Sequence, residues 1–322
     1  MEEKTVCVTG AGGYIASWVV KFLLSRGYRV HGTVRDPGDP KNAHLMNLEY
    51  AAANLKLFKA DLLDYESISA AVSGCTGVLH VASPVPAVKV MNPEVELYEP
   101  AHTGTKNVLN ACLQEKVKKV VVVSSVAAIV ITEAWPKDLA MDETCWSDIE
   151  HCKSLEQWYC VAKTLAETEA WEFAKRTRLN LVTVCPSIVI GPLLQPTVNA
   201  SSMYLLALLQ GTDPGELGGM AFVDVRDTAE AILLAYENPE ADGRYICSSH
   251  EMRNEAIVEM LKEKYPEFNY PKSFREVHSD LRLSSQKLQN LGWKYRPFEE
   301  TLLDAVENYK QCGLLATKTG DI

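Results

Sequence analysis

Two side chains set one helical turn apart offer the clearest chemistry in this sequence. In Gln157-Trp158-Tyr159-Cys160-Val161-Ala162-Lys163, Tyr159 and Lys163 stand at i and i+4, so a helix places them on one face. A tyrosine with an unperturbed pKa of about 10 is a poor proton relay at neutral pH. A nearby ammonium favours the phenolate and lowers that value. The phenol can then give its proton to a carbonyl oxygen that is gaining negative charge. Upstream, Ser124-Ser125 closes an apolar run at 119–124, and a hydroxyl there can hold the same oxygen.

These groups need a scaffold, and the rest of the chain reads as one. Apolar runs rich in β-branched residues occur at 6–8, 29–34, 55–60, 77–81, 119–124 and 179–185, with helix-length segments at 15–25, 65–72, 104–115 and 154–176 between them. Such alternation predicts an α/β fold, a doubly wound Rossmann-type parallel sheet with helices on both faces. Continuous apolar strands fit burial on both sides. In the third helix Val108, Leu109, Ala111, Cys112 and Leu113 form the apolar stripe; in the fourth, Trp158, Leu165 and Trp171 are the anchors. After Gly191, prolines and glycines punctuate the chain. The reading is a dinucleotide-binding domain over 1–190 with 221–237 returning to it, and a smaller substrate-binding lobe from 191–220 and 238–322. Short helices are expected at 255–264 and 302–312.

The first strand, 5–9, runs into Gly10-Ala11-Gly12-Gly13-Tyr14-Ile15-Ala16. Gly10 permits a tight turn, Gly13 lets the backbone approach a pyrophosphate, and Ala16 allows close helix–strand contact. A helix starting near Tyr14 then offers free N–H groups and its positive end to phosphates. Strand before, helix after and strand next make this a dinucleotide-binding turn. At the end of the second strand, where NAD proteins tend to carry a carboxylate for the ribose hydroxyl, stand Arg35 and, six residues on, Lys41. Both can hold a 2′-phosphate, which favours NADP(H), although Asp36 could serve the NAD role. Asp61-Leu62 is placed to meet the adenine. Val81-Ala82-Ser83 supplies small residues against the cofactor, while His80 reads as a packed structural histidine. Pro186-Ser187-Ile188-Val189 reads as a turn walling the nicotinamide, because proline does not continue a central strand. Arg226 and Arg244 read as surface ion-pair residues.

Composition narrows the remaining classes. The chain has 322 residues, 47% hydrophobic and 23% charged, with a formal charge of −10. That is ordinary for a globular protein, and the acidic balance argues against binding nucleic acid through a general phosphate field. No signal pattern opens the sequence and no run is long enough to span a membrane, so the cytoplasm is the expected compartment. Nine cysteines without a C-x-x-C pair, and no H-E-x-x-H, predict no metal site and mostly buried thiols.

At these residues the chain resembles the extended short-chain dehydrogenase/reductase family, in particular the plant cinnamoyl-CoA reductase and dihydroflavonol reductase group. VTGAGGYIASW, GTVRDP, KADLLDYES, HVASPV, GTKNVLNA, DETCWSD and GPLLQPTVNAS carry the likeness over nearly the whole length. The resemblance implies NADPH, Ser125 rather than Ser124 as the hydroxyl partner of Tyr159 and Lys163, and a cofactor contact near Ser201. It also matches Cys152 and Cys160 to a family pair that could form a redox-sensitive disulfide or remain two thiols. The chain departs from the family's N-W-Y-C-Y-G-K around Tyr159. It also has Tyr204 and Ala207 where a His and a Lys accompany CoA-thioester substrates. The implied activity is therefore reduction of a small aromatic carbonyl, first a hydroxycinnamaldehyde-type aldehyde to its alcohol. A cinnamoyl-CoA thioester stands second and a dihydroflavonol-like ketone third; a non-catalytic NADPH-binding sensor is the alternative of another class. Met203, Tyr204, Leu205, Met220 and Phe222 could line an aromatic pocket or belong to the core.

Overall fold

The computed structural model describes residues 4–83, 91–136, 138–215, 221–274 and 281–315. Along the chain the elements run β1 (Thr5–Thr9), α1 (Tyr14–Ser25), β2 (Arg29–Val34), α2 (Ala43–Met46), α3 (Ala51–Asn54), β3 (Leu55–Lys59), α4 (Tyr65–Val72), β4 (Gly77–His80), α5 (Glu99–Gln114) and β5 (Lys119–Val123). They continue with α6 (Ile149–Ser154), α7 (Trp158–Thr177), β6 (Leu181–Pro186), β7 (Ile188–Ile190), α8 (Ala200–Leu209), β8 (Ala221–Asp224) and α9 (Val225–Glu237). The last are β9 (Gly243–Cys247), β10 (His250–Glu251), α10 (Asn254–Lys264), α11 (Gln286–Asn290) and α12 (Phe298–Gln311).

Seven strands form one sheet in the order β3-β2-β1-β4-β5-β6-β9, and every pairing in it is parallel. Successive side chains on a strand face opposite ways, and β5 shows the consequence. Val121 and Val123 join the core under α1 and α9, while Val120 and Val122 join the core under α4, α5 and α7. Both faces are covered, so β4, β5 and β6 are buried at every position. This is the doubly wound Rossmann-type α/β fold that the strand–helix alternation implies.

Several local expectations change. The expected helix 154–176 is α7, which begins later, at Trp158: the separate α6 stops at Ser154, and Glu156 between them takes a left-handed conformation with φ 54°. Within α5 the stripe holds except for Leu113, which is 42% exposed. Pro186 is not in a turn but ends β6, opposite Cys247 of β9. On its other side the β5–β6 register has already ended at Val123↔Val184, so the missing N–H removes no ladder bond there.

The segment after Gly191 divides between two structures. Helix α9 returns to the main sheet and packs on α1. Strand β8 does not join it, and instead pairs with β7 and β10 in a separate three-stranded sheet. Strand β9, in the 238–322 segment expected in the smaller lobe, is the seventh strand of the main sheet.

Candidate functional site

Strand order reverses between β1 and β4, and ligands of such sheets collect in the crevice outside the carboxyl ends at that point. The residues expected at a site converge on this edge. The Gly10 N–H donates to Thr33 Oγ1 (3.0 Å) and the Ala11 N–H to the Thr33 carbonyl (2.9 Å), which folds the turn back onto β2. Gly10 has φ 66°, and a Cβ there would stand 3.0 Å from the Ala82 Cβ. The position therefore needs glycine both for its backbone angle and for the approach of Val81-Ala82-Ser83. Ala82 is tied down in turn, its N–H donating to Thr9 Oγ1 (3.1 Å). Helix α1 starts at Tyr14 with Gly13 as its N-cap and no side-chain cap, so the first-turn amides of Tyr14, Ile15 and Ala16 have no intrahelical acceptor. Gly12 and Gly13 lie at the mouth of this anion-receptive end. The Tyr14 hydroxyl donates to the Gly191 carbonyl (2.9 Å) and the Trp18 indole to that of Pro192 (3.0 Å), which fastens α1 to the chain after β7.

At the end of β2, Arg35, Asp36 and Lys41 are all exposed. The Asp36 carboxylate accepts the Gly38 N–H (2.9 Å) and so braces its own turn. Lys41 pairs with Asp39 at 2.7 Å. Asp61 likewise braces its turn, accepting the Leu63 N–H (2.9 Å), and the Leu62 carbonyl accepts from Asn107 Nδ2 (2.8 Å). Ser201 donates to the Val189 carbonyl (2.5 Å), which anchors α8 to β7 beside Ile188. Ser187, between β6 and β7, is 7% exposed, and its hydroxyl is buried without a partner among the described residues. An orphaned hydroxyl, an uncapped helix start and a glycine pressed against Ala82 together fit a bound dinucleotide.

The Tyr–Lys–Ser set is only partly as expected. The Ser125 hydroxyl is close enough to Tyr159 to favour its phenolate, and it accepts the Ala127 N–H (3.1 Å). Ser124 faces the other way and donates to Glu167 Oε2 (2.6 Å). Of the two serines, Ser125 is thus the one that meets the phenol. The expected acidification of Tyr159 by Lys163 is not what the structure gives. Burial pushes the phenol up to about 12, the nearby Ser125 hydroxyl pulls it down, and Cys160 adds to the rise. The Lys163 ammonium, 5% exposed, instead donates to the Val123 carbonyl (3.0 Å) and Ser83 Oγ (3.4 Å). Burial pulls Lys163 down to about 8, opposed first by the Glu167 charge. His80 is the packed histidine expected: Nδ1 meets Thr9 Oγ1 at 2.8 Å and Nε2 meets Thr105 Oγ1 at 3.3 Å. Burial, then Lys163, pulls it down to about 3, so the ring is neutral.

The reading of the two arginines as surface residues is corrected. Arg244 is no surface residue; it is 7% exposed and pairs with the fully buried Glu167 at 2.7 Å. Arg226 is mostly covered and pairs with buried Asp224 (2.8 Å) and with Asp304 (2.6 Å). Tyr204, Leu205 and Phe222 are buried in the core, and the Tyr204 hydroxyl is bonded to Asn254; Met203 is 41% exposed, and Met220 lies outside the described residues. Cys152 and Cys160 are buried free thiols in one cluster. Eight of the nine cysteines are buried and Cys312 is exposed. The sequence reading missed Glu167, although a carboxylate four residues beyond Lys163 on the same helix was a usable signal.

The chain is 45% identical to cinnamoyl-CoA reductase 2 of Medicago truncatula, over 97% of this chain and 93% of that protein. Its fold is similar to vestitone reductase from alfalfa, with TM-score 0.84 and 31% identity over 97% of this chain and all of the other. It is also similar to Gre2 of Candida albicans in complex with NADPH, with TM-score 0.84 and 30% identity over 96% of this chain and 99% of that one. Residues 6–247 match the model of the NAD dependent epimerase/dehydratase family, and the chain belongs to that family.

Proposed function

We propose that this chain is an NADPH-dependent reductase of small aromatic carbonyl compounds of the phenylpropanoid type, with Tyr159 as proton donor. The observation that carries this reading is the placement of Ser125, just past β5, beside Tyr159 of α7 at the carboxyl edge of the sheet, on the same edge as the Gly10–Gly13 turn. In this reading Gly10, Ala11, Gly12, Gly13, Tyr14, Ile15 and Ala16 hold the pyrophosphate. Arg35 and Lys41 take the 2′-phosphate; Asp61 and Leu62 meet the adenine. Val81, Ala82, Ser83, Pro186, Ser187, Ile188, Val189 and Ser201 border the nicotinamide half. The bound cofactor supplies the hydride. Ser125 holds the substrate oxygen, and Tyr159, protonated at neutral pH, donates its proton to that oxygen as negative charge builds there. Lys163 binds the cofactor ribose and adds positive charge beside the reacting groups.

Within that class the favoured substrate is an aldehyde of the hydroxycinnamaldehyde type, reduced to its alcohol. The part of α8 spanning Met203 to Ala207 carries no cation to receive a phosphate-bearing thioester. Thioester reduction is the second reading, favoured by the likeness to a cinnamoyl-CoA reductase. The test is kcat/KM for matched hydroxycinnamaldehydes, cinnamoyl-CoA thioesters and dihydroflavonols, with NADPH and NADH. The aldehyde with NADPH should give the highest value; a thioester preference overturns the substrate, and turnover of none of the three overturns the class. The cytoplasm is the proposed compartment, and among the described residues no helix is long and apolar enough to cross a membrane.

A further inference from the structure

Beneath the site lies a buried polar cluster that the proposed chemistry has not used. Glu167 stands on α7 one turn beyond Lys163, with its side chain fully buried. Its two carboxylate oxygens accept from the end of β5 (Ser124 Oγ, 2.6 Å), from β6 (Thr183 Oγ1, 2.8 Å) and from β9 (Arg244 Nε, 2.7 Å, and Nη2, 3.3 Å). Arg244 is itself fixed. Its Nη1 donates to the carbonyls of Glu143 (2.9 Å) and Cys145 (2.6 Å), and its guanidinium lies 3.7 Å from the Trp146 ring centroid. Glu167 and Lys163 line the same small recess, with His80, Ser83, Thr105 and Ser124.

We propose that Glu167, clamped by Arg244, is a positioning residue of this site, holding Lys163 as an ammonium and fixing the strand end that carries Ser124 and Ser125. The inference rests on the assignment of Tyr159 and Lys163 made above. The groups facing Lys163 leave Glu167 as its counter-charge among the described residues. From β4, His80 is neutral. From β6, the Cys185 thiol is pushed up by burial and holds its proton. Tyr159, on α7 itself, is a protonated phenol, and α5 contributes only Thr105 and Ala101. Arg244, from β9, is the further cation, and it is bound to Glu167. Among the described residues the Lys163 ammonium has only neutral acceptors, the Val123 carbonyl and Ser83. Its charge is therefore stabilised through space by Glu167 rather than by a direct ion pair.

The test is the pH profile of kcat/KM for carbonyl reduction by the full chain, wild type against Glu167→Gln, together with an NMR titration of the 15N-labelled Lys163 amine. The alkaline limb and the amine midpoint should both move lower in Glu167→Gln, by about one pH unit or more. A uniform fall in kcat with both unmoved overturns the proposal, because a purely structural carboxylate would act in that way. Glu167→Gln leaves Arg244 unpaired and can fail to fold. Glu167→Gln/Arg244→Met removes both charges and should still lower the limb, by less than Glu167→Gln because a cation leaves with the anion; a limb that stays or rises in both variants overturns the proposal. Lys163→Met separates the two levels of the account. If that variant keeps its turnover, the assignment of Lys163 fails and this inference falls with it; if it is inactive while the limb stays in place in the Glu167 variants, the inference alone fails.

Discussion

Burial keeps the Tyr159 phenol protonated well past neutrality, so it acts as an acid and not as a base. Lys163 is the group that titrates within the working range. Burial lowers it to about 8, so it is an ammonium below that pH and an amine above it. With Lys163 needed as a cation, kcat/KM for reduction should be level near neutrality and fall as pH rises through about 8; a profile flat to pH 9.5 (about the range where a free lysine still holds its proton) would contradict it. The pairing of Tyr159 with Lys163 was legible from spacing alone, because i and i+4 share a helix face. Where the ammonium ends was not legible. A lysine stem is long and flexible, and here it reaches the Val123 carbonyl of β5 rather than its tyrosine neighbour.

The β1–α1 turn concentrates most of the cofactor reading in one element. Gly10 combines φ 66° with close contact to Ala82, so Gly10→Ala must either strain the backbone or push the β4 loop away. An L-residue in that region costs roughly 1–2 kcal/mol, and the displaced amides lose phosphate contacts as well. Gly10→Ala should weaken NADPH binding about tenfold or more, measured by fluorescence titration; unchanged affinity would remove Gly10 from the site. This turn was readable because its glycines have a mechanical reason to be where they are. The break between α6 and α7 was not, since no proline or glycine marks it and the chain turns at Glu156, a non-glycine residue in the left-handed region. Pro186 misled in the opposite sense: proline argues against a strand interior, but it is admitted at a strand end where one neighbour has stopped pairing.

Strand order, burial and charge are properties of the entire chain, and here sequence reading reached its limit. Apolar runs identified the parallel strands β1 to β6 but not that β9, which starts only at Gly243 after β6 ends at Pro186, completes the sheet. Nor could they show that Arg244 on that strand would find Glu167 inside. Both depend on contacts distant in sequence. His80 gives the fold a measurable acid sensitivity. Its folded pKa, about 3, lies below the ordinary histidine value, because burial and then Lys163 disfavour its charge. Between those values the unfolded chain binds a proton that the folded chain does not, so stability falls as pH drops through the window. Going from pH 7 to 5, this group should remove ~2 kcal/mol of unfolding free energy. Urea unfolding should show a correspondingly smaller pH dependence in His80→Gln; equal pH dependence in both proteins would contradict the assignment.

The Tyr159→Phe variant tests proton donation by the phenol most directly, through NADPH binding and turnover of a hydroxycinnamaldehyde measured on the same purified protein. Binding should stay within about twofold of wild type while kcat falls by about 10²–10⁴. Turnover close to wild type in a variant that still binds NADPH would contradict the account.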